Sequence, residues 1–89
     1  MPTVEFARSL TRHKACPVQH VAADTLRESL DEAFCAVPEL RAYVLDDQGA
    51  VRKHVAVFVN ARQIASRADL DISLQHEDKV MVIQALTGG

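Results

Sequence analysis

The chain has 89 residues, 48% of them apolar and 25% charged, with a formal net charge of −2 at pH 7. That is material for one core and not for two. The charge balance offers no basic footprint for nucleic acid, and no apolar run approaches the roughly 20 residues of a membrane-spanning helix.

Residues 1–6 carry neither the basic nor the apolar stretch of a secretory signal, so a cytoplasmic protein with no nucleic-acid or membrane partner is expected. In that compartment the two cysteines, Cys16 and Cys35, stay reduced. Cys35 reads as a small residue at the core boundary and Cys16 as a junction residue before Pro17.

In chain order, residues 3–7 alternate, with Val4 and Phe6 pointing one way and Thr3 and Glu5 the other, which predicts a strand. Residues 8–15 are polar and predict a loop. Residues 17–22 predict a second strand, antiparallel to the first in a hairpin. Thr25 and Glu28 have the spacing of a capping box, and Leu26, Leu30, Ala33, Phe34 and Val37 then fall on one helical face. Arg27, Glu28, Asp31 and Glu32 take the opposite face, and Pro38 stops the helix.

Residues 40–45 lead to a turn at 46–49, where Gly49 is available for positive φ. Residues 54–60 are rich in Val and predict a strand. A turn follows at 60–63, and Ile64 opens a short strand. Residues 68–74, with Leu70, Ile72 and Leu74, predict a helical turn or a coil closing one end of the core. A polar turn at 76–79 precedes a final strand from Val80 to Leu86.

This order predicts an α+β fold, with a mixed sheet of four to five strands and one main helix packed on one face. The last strand is apolar on both faces, which places it centrally, beside the first strand. With one main helix available, the second face of the sheet keeps an apolar patch. It is either a docking surface or covered by loops.

Chemistry is sparse in the body of the chain. Gly49 stands alone, so no glycine-rich phosphate loop is present. The four histidines are scattered, and Cys16 with His20 would need two more ligands to hold a metal. Asp46, Asp47, Glu77 and Asp78 read as solvated turn carboxylates. No nucleophile and base can be paired, so no catalytic site of the chain's own and no bound cofactor is expected.

The terminus differs. Of three glycines, two are the last two residues, Gly88 and Gly89. Lacking side chains, they suit a tail that threads a narrow channel, and residues 87–89 span roughly 10 Å when extended. The resulting division is a domain over 1–86 and a flexible tail over 87–89. Thr87 and Gly88 thread, Leu86 anchors the entry, and Phe58 and Val82 are candidates for partner docking. The α-carboxylate of Gly89 is ionised and a poor electrophile. To react it needs activation by a partner that holds ATP and Mg²⁺.

Taken together, TLRESL at 25–30, LDDQGAVRKH at 45–54, VAVFVN at 55–60, EDKVMVI at 77–83 and LTGG at 86–89 resemble the ubiquitin-like sulfur-carrier family of the MoaD/ThiS type. The resemblance spans essentially the whole chain. Residues 52–60 are similar to the CysO-like branch, while QALT before the glycines departs from the Pro, Val or Ala of many relatives. The resemblance implies a β-grasp fold and adenylation of Gly89 by an adenylyltransferase of the ubiquitin-activating type. A sulfur donor would then form a thiocarboxylate, which passes sulfur to a downstream biosynthetic enzyme. Two other readings stand beside it: a ubiquitin-like modifier joined to lysines through Gly89, and a non-covalent interaction module.

Overall fold

The computed structural model describes residues 1–7 and 18–84. Within them the elements are β1 (Thr3–Phe6), β2 (Gln19–His20), α1 (Leu26–Ala36), α2 (Glu39–Val44), β3 (Val55–Val59), β4 (Arg62–Gln63) and β5 (Lys79–Gln84). The strands form one mixed sheet in the order β2-β1-β5-β3-β4. β5 runs parallel to β1 and antiparallel to β3. A hairpin, a crossover helix and a last strand inserted beside the first make up the β-grasp layout.

Alternation along the central strands decides which side chains meet the helix. Val4 and Phe6 of β1, Val55 and Val57 of β3, and Val80 and Val82 of β5 are all buried. Against them α1 lays Leu26, Leu30, Ala33 and Phe34, and the Phe6 and Phe34 rings stack with centroids 5.6 Å apart. Non-directional burial of this apolar surface is the main stabilising term.

α1 starts where the capping residues place it. Thr25 Oγ1 accepts from the Glu28 amide at 3.2 Å, and the Thr25 hydroxyl also meets Glu28 Oε1 at 3.2 Å. Two more of the first-turn amides find carbonyls outside the helix: Leu26 donates to Ile72 and Arg27 to Leu70, each at 2.9 Å. Residues 68–74 contain no helical turn. They close that end of the core as irregular chain, with Leu70 fully buried. At the other end Val37, before Pro38, adopts φ −136°, the extended region that a following proline favours, and α1 ends.

Three boundaries differ from the sequence expectation. Residues 39–44 form a second helix, α2, which buries Leu40 and Val44 one turn apart. The strand after β3 is Arg62–Gln63 rather than one opened by Ile64. Its turn is the two residues Asn60 (φ 53°) and Ala61 (φ 67°), the primed geometry that suits strand twist. β2 is confined to two residues, pairing Thr3 with His20 and Val4 with Gln19. Gly49 has φ 81°, as its turn requires. The loop expected at 8–15, along with Cys16 and Pro17, lies outside the described residues. Among the described residues no helix is long and apolar enough to cross a membrane.

Candidate functional site: strand β5, its root and the open sheet face

β5 has a strand on each side from Val80 to Val82, and its last described pair is Gln84 opposite Val55. Leu86, Thr87, Gly88 and Gly89 lie outside the described residues. What is visible is the base from which they leave.

That base is held mainly by one side chain. The Arg67 guanidinium donates through Nη1 to the carbonyls of Arg52 and Val55 and through Nη2 to that of Lys53. The Val51 amide donates back to the Arg67 carbonyl at 2.9 Å. Arg52 ties the same turn to α2, with its amide on the Val44 carbonyl and its Nε on that of Ala42, both at 2.9 Å. The turn that starts β3, and with it the partner of Gln84, is therefore clamped to two neighbouring segments.

The sheet face away from α1 follows from the register. Glu5, Met81, Phe58 and Gln63 are successive cross-strand partners across β1, β5, β3 and β4, and Ile83 pairs with Ala56 in the next apolar row toward the strand end. Phe58, Met81 and Ile83 are half-buried, so an apolar strip stays open to solvent beside the root of β5. Val82, expected to help dock a partner, does not reach this face. Its side chain is completely buried between sheet and helix, because the period of two puts it with Val80 on the α1 side. Met81 and Ile83 occupy the open face in its place, beside Phe58. Their signal was in the sequence as the second apolar set of β5.

Among the described candidate groups, Asp46 and Asp78 hold their own turns. Asp46 accepts from the amides of Gln48 and Ala50 at 2.9 and 3.0 Å, and these N–H groups, Ala50 foremost, hold its carboxyl below the usual carboxylate range. Asp78 is lowered likewise by the Gln75 amide and then the Asn60 side chain. Cys35 is exposed and its thiol meets the Asp31 carbonyl at 3.5 Å. Among the described residues no group of three or more His, Cys, Asp or Glu side chains is placed to hold a metal. An open groove of 570 Å³ runs between α2 and the 46–52 turn, with Arg41, Asp46 and Arg52 on its walls.

Residues 13–89 match the ThiS family. No curated protein sequence matches the chain. Among solved structures the chain is similar to SAMP1 of Haloferax volcanii, with a TM-score of 0.75 at 22% identity over 99% of this chain and 98% of that one. It is similar to CysO of Mycobacterium tuberculosis, with a TM-score of 0.76 at 18% identity over 97% and 100%. It also resembles a chain of the BexX/CysO complex of Amycolatopsis orientalis, with a TM-score of 0.75 at 17% identity over the whole of both chains. These likenesses fix the fold as ubiquitin-like.

Proposed function

The chain belongs to the ThiS family, and on that premise we propose that it is a sulfur carrier whose working group is the α-carboxylate of Gly89. An adenylyltransferase of the ubiquitin-activating type, holding ATP and Mg²⁺, catalyses attack of a Gly89 carboxylate oxygen on the α-phosphorus, with pyrophosphate leaving. A sulfur donor then attacks the acyl carbon of this mixed anhydride and expels AMP, which leaves a thiocarboxylate. The thiocarboxylate sulfur is the nucleophile delivered to a biosynthetic acceptor, and hydrolysis restores the carboxylate.

This chain contributes position rather than proton transfer. Glycine at 88 and 89 leaves the acyl carbon unhindered. The rigid root at Gln84 lets docking energy hold that carbon in the partner's site, which lowers the entropic part of the barrier. The open strip of Phe58, Met81 and Ile83 is the docking surface beside the tail, with Leu86 at the entry and Thr87 in the channel. The observation that carries the reading is that the family match runs through to Gly89, on a strand whose last described pair is clamped.

The test is intact-mass measurement after incubation with such an adenylyltransferase, ATP and sulfide. Replacement of one oxygen by one sulfur at the terminus supports the carrier. Absence of any AMP or sulfur adduct with every activating enzyme from the same genome refutes it. The second reading, a modifier, draws on the likeness to SAMP1, described as a small archaeal modifier protein. Covalent attachment of Gly89 to lysines of other proteins in the same mixture would select it.

A further inference from the structure

Of the four aromatic residues, Phe6 and Phe34 are in the core and Phe58 is half-buried, while Tyr43 is exposed, with 38% of its surface open to solvent. Tyr43 is nonetheless held in place. Its helix, α2, is pinned by the buried Leu40 and Val44, and by Arg52 on the carbonyls of Ala42 and Val44. Its ring meets the His54 ring edge-on at 4.8 Å and 83°. His54 directly precedes Val55, the partner of Gln84. The one exposed aromatic of the chain thus rests on the residue that precedes the cross-strand partner of Gln84, at the end of the sheet where the apolar row of Ile83 and Ala56 stops.

A fixed, solvent-exposed tyrosine gives up little conformational entropy when it is covered, and such aromatics dominate binding energies. The charge beside it is positive: Lys53 is exposed, and among the described residues its ammonium has no acidic partner. Arg52, bonded through Nε to the Ala42 carbonyl, has Asp46 near its charge, so Lys53 carries the positive charge here.

We propose that Tyr43, resting on His54 and flanked by Lys53, is a second anchor for the adenylating partner. It enters an apolar slot with an acidic edge at the mouth of the channel that admits Gly89. This rests on the carrier reading above. It adds a contact on α2 to the one on the sheet face.

The experiment uses the full chain and an adenylyltransferase that charges it, and follows ATP–pyrophosphate exchange. Tyr43→Ala raises KM for the carrier about tenfold, the loss typical of a truncated anchor, with kcat retained. Tyr43→Phe stays near wild type. Lys53→Glu raises KM at low salt, and the increase shrinks as salt screens the pair. Both Tyr43 variants melt within a few degrees of wild type, because Tyr43 lies at the surface outside the buried core. An unchanged KM for Tyr43→Ala, in an assay where Phe58→Ala raises it, overturns the second anchor and leaves the carrier reading standing. A fall in kcat alone also overturns it. If the wild-type chain is never charged, the carrier reading fails and takes this proposal with it.

Discussion

Arg67 Nη1 donates to the carbonyl of Val55 at 2.7 Å, and Val55 is the residue opposite Gln84, where the described part of β5 ends. On this flank of β3, β4 supplies the partners for Phe58 and Val59, and the Ile64 amide reaches the Val57 carbonyl. At Val55 a side chain takes over from the strand. A guanidinium suits the task because its fork can serve several carbonyls at once, which a lysine ammonium on a flexible stem does less well.

Arg67→Ala should therefore lower stability by about 1–2 kcal/mol. That is the scale of a few hydrogen bonds to a charged donor after discounting for the solvent around Arg67. Arg67→Lys should recover only part of it. Urea denaturation gives the total, and amide exchange at Val55 and Gln84 gives the local share. Faster exchange confined to these two strand ends is the expected pattern, and uniform loosening of the whole sheet would assign Arg67 to the core instead.

The β3–β4 turn stores a small strain. Ala61 sits at φ 67°, a region that costs an L-residue with a Cβ about 1–2 kcal/mol. Glycine there would remove that cost and add about 0.4–1 kcal/mol of unfolded-state entropy to be lost on folding. The first exceeds the second, so Ala61→Gly should stabilise by about 0.5 kcal/mol, read as a raised urea midpoint with an unchanged slope. Asn60, at φ 53°, already has a residue type that tolerates this region. Its side chain also bonds Asp78 Oδ1 at 2.7 Å and the Lys79 amide at 2.9 Å.

β5 separates stability from recognition along a single strand. Val82→Ala removes two buried methyl groups' worth of packing and should cost about 2 kcal/mol. Once the protein is folded, adenylation should proceed with an unchanged KM. Met81→Ala and Ile83→Ala, on the open face, should leave the melting temperature within a few degrees of wild type and raise KM for the activating enzyme. The reverse pattern would mean that the docking face lies elsewhere.

The same strand shows what the sequence could and could not tell. α1 was legible because Leu26, Leu30, Ala33, Phe34 and Val37 repeat at helical spacing behind a capping threonine. The central place of β5 was legible because it is apolar on both sides. Which side meets the helix was not, since Val80 and Val82 look no more core-like than Met81 and Ile83. Only the register with Val4 and Phe6 decides it. α2 was missed because six residues contain just two buried positions, Leu40 and Val44, too few for a period to emerge. Arg67 was missed because its acceptors are backbone carbonyls, which have no residue type of their own and so no sequence signature. Tyr43 and His54 are 11 positions apart in the chain, and they meet because the 46–49 turn, the Leu45–Val51 bridge and Arg52 together fold the chain after α2 back to the start of β3.

Deleting Gly89 is the sharpest test of the terminal carboxylate. Every buried apolar residue of the described core lies between Val4 and Val82, and the cross-strand pairs of β5 reach Gln84. Removing one residue at position 89 takes away none of these contacts, so the truncated chain should keep the melting temperature and urea midpoint of the parent. Its new terminus, Gly88, is still a glycine carboxylate, chemically equivalent in pKa and nucleophilicity. Its acyl carbon is withdrawn by one residue, about 3.5 Å, from where docking would have placed it. A misplacement of that size is large against the roughly 1 Å that can cost 10²-fold in a positioned reaction. Charging should fall below detection in ATP–pyrophosphate exchange while competition against wild-type charging shows that docking persists. Wild-type charging rates with the truncated chain would mean that the carboxylate is selected by chemistry alone, and that the rigid root of β5 has no part in placing it.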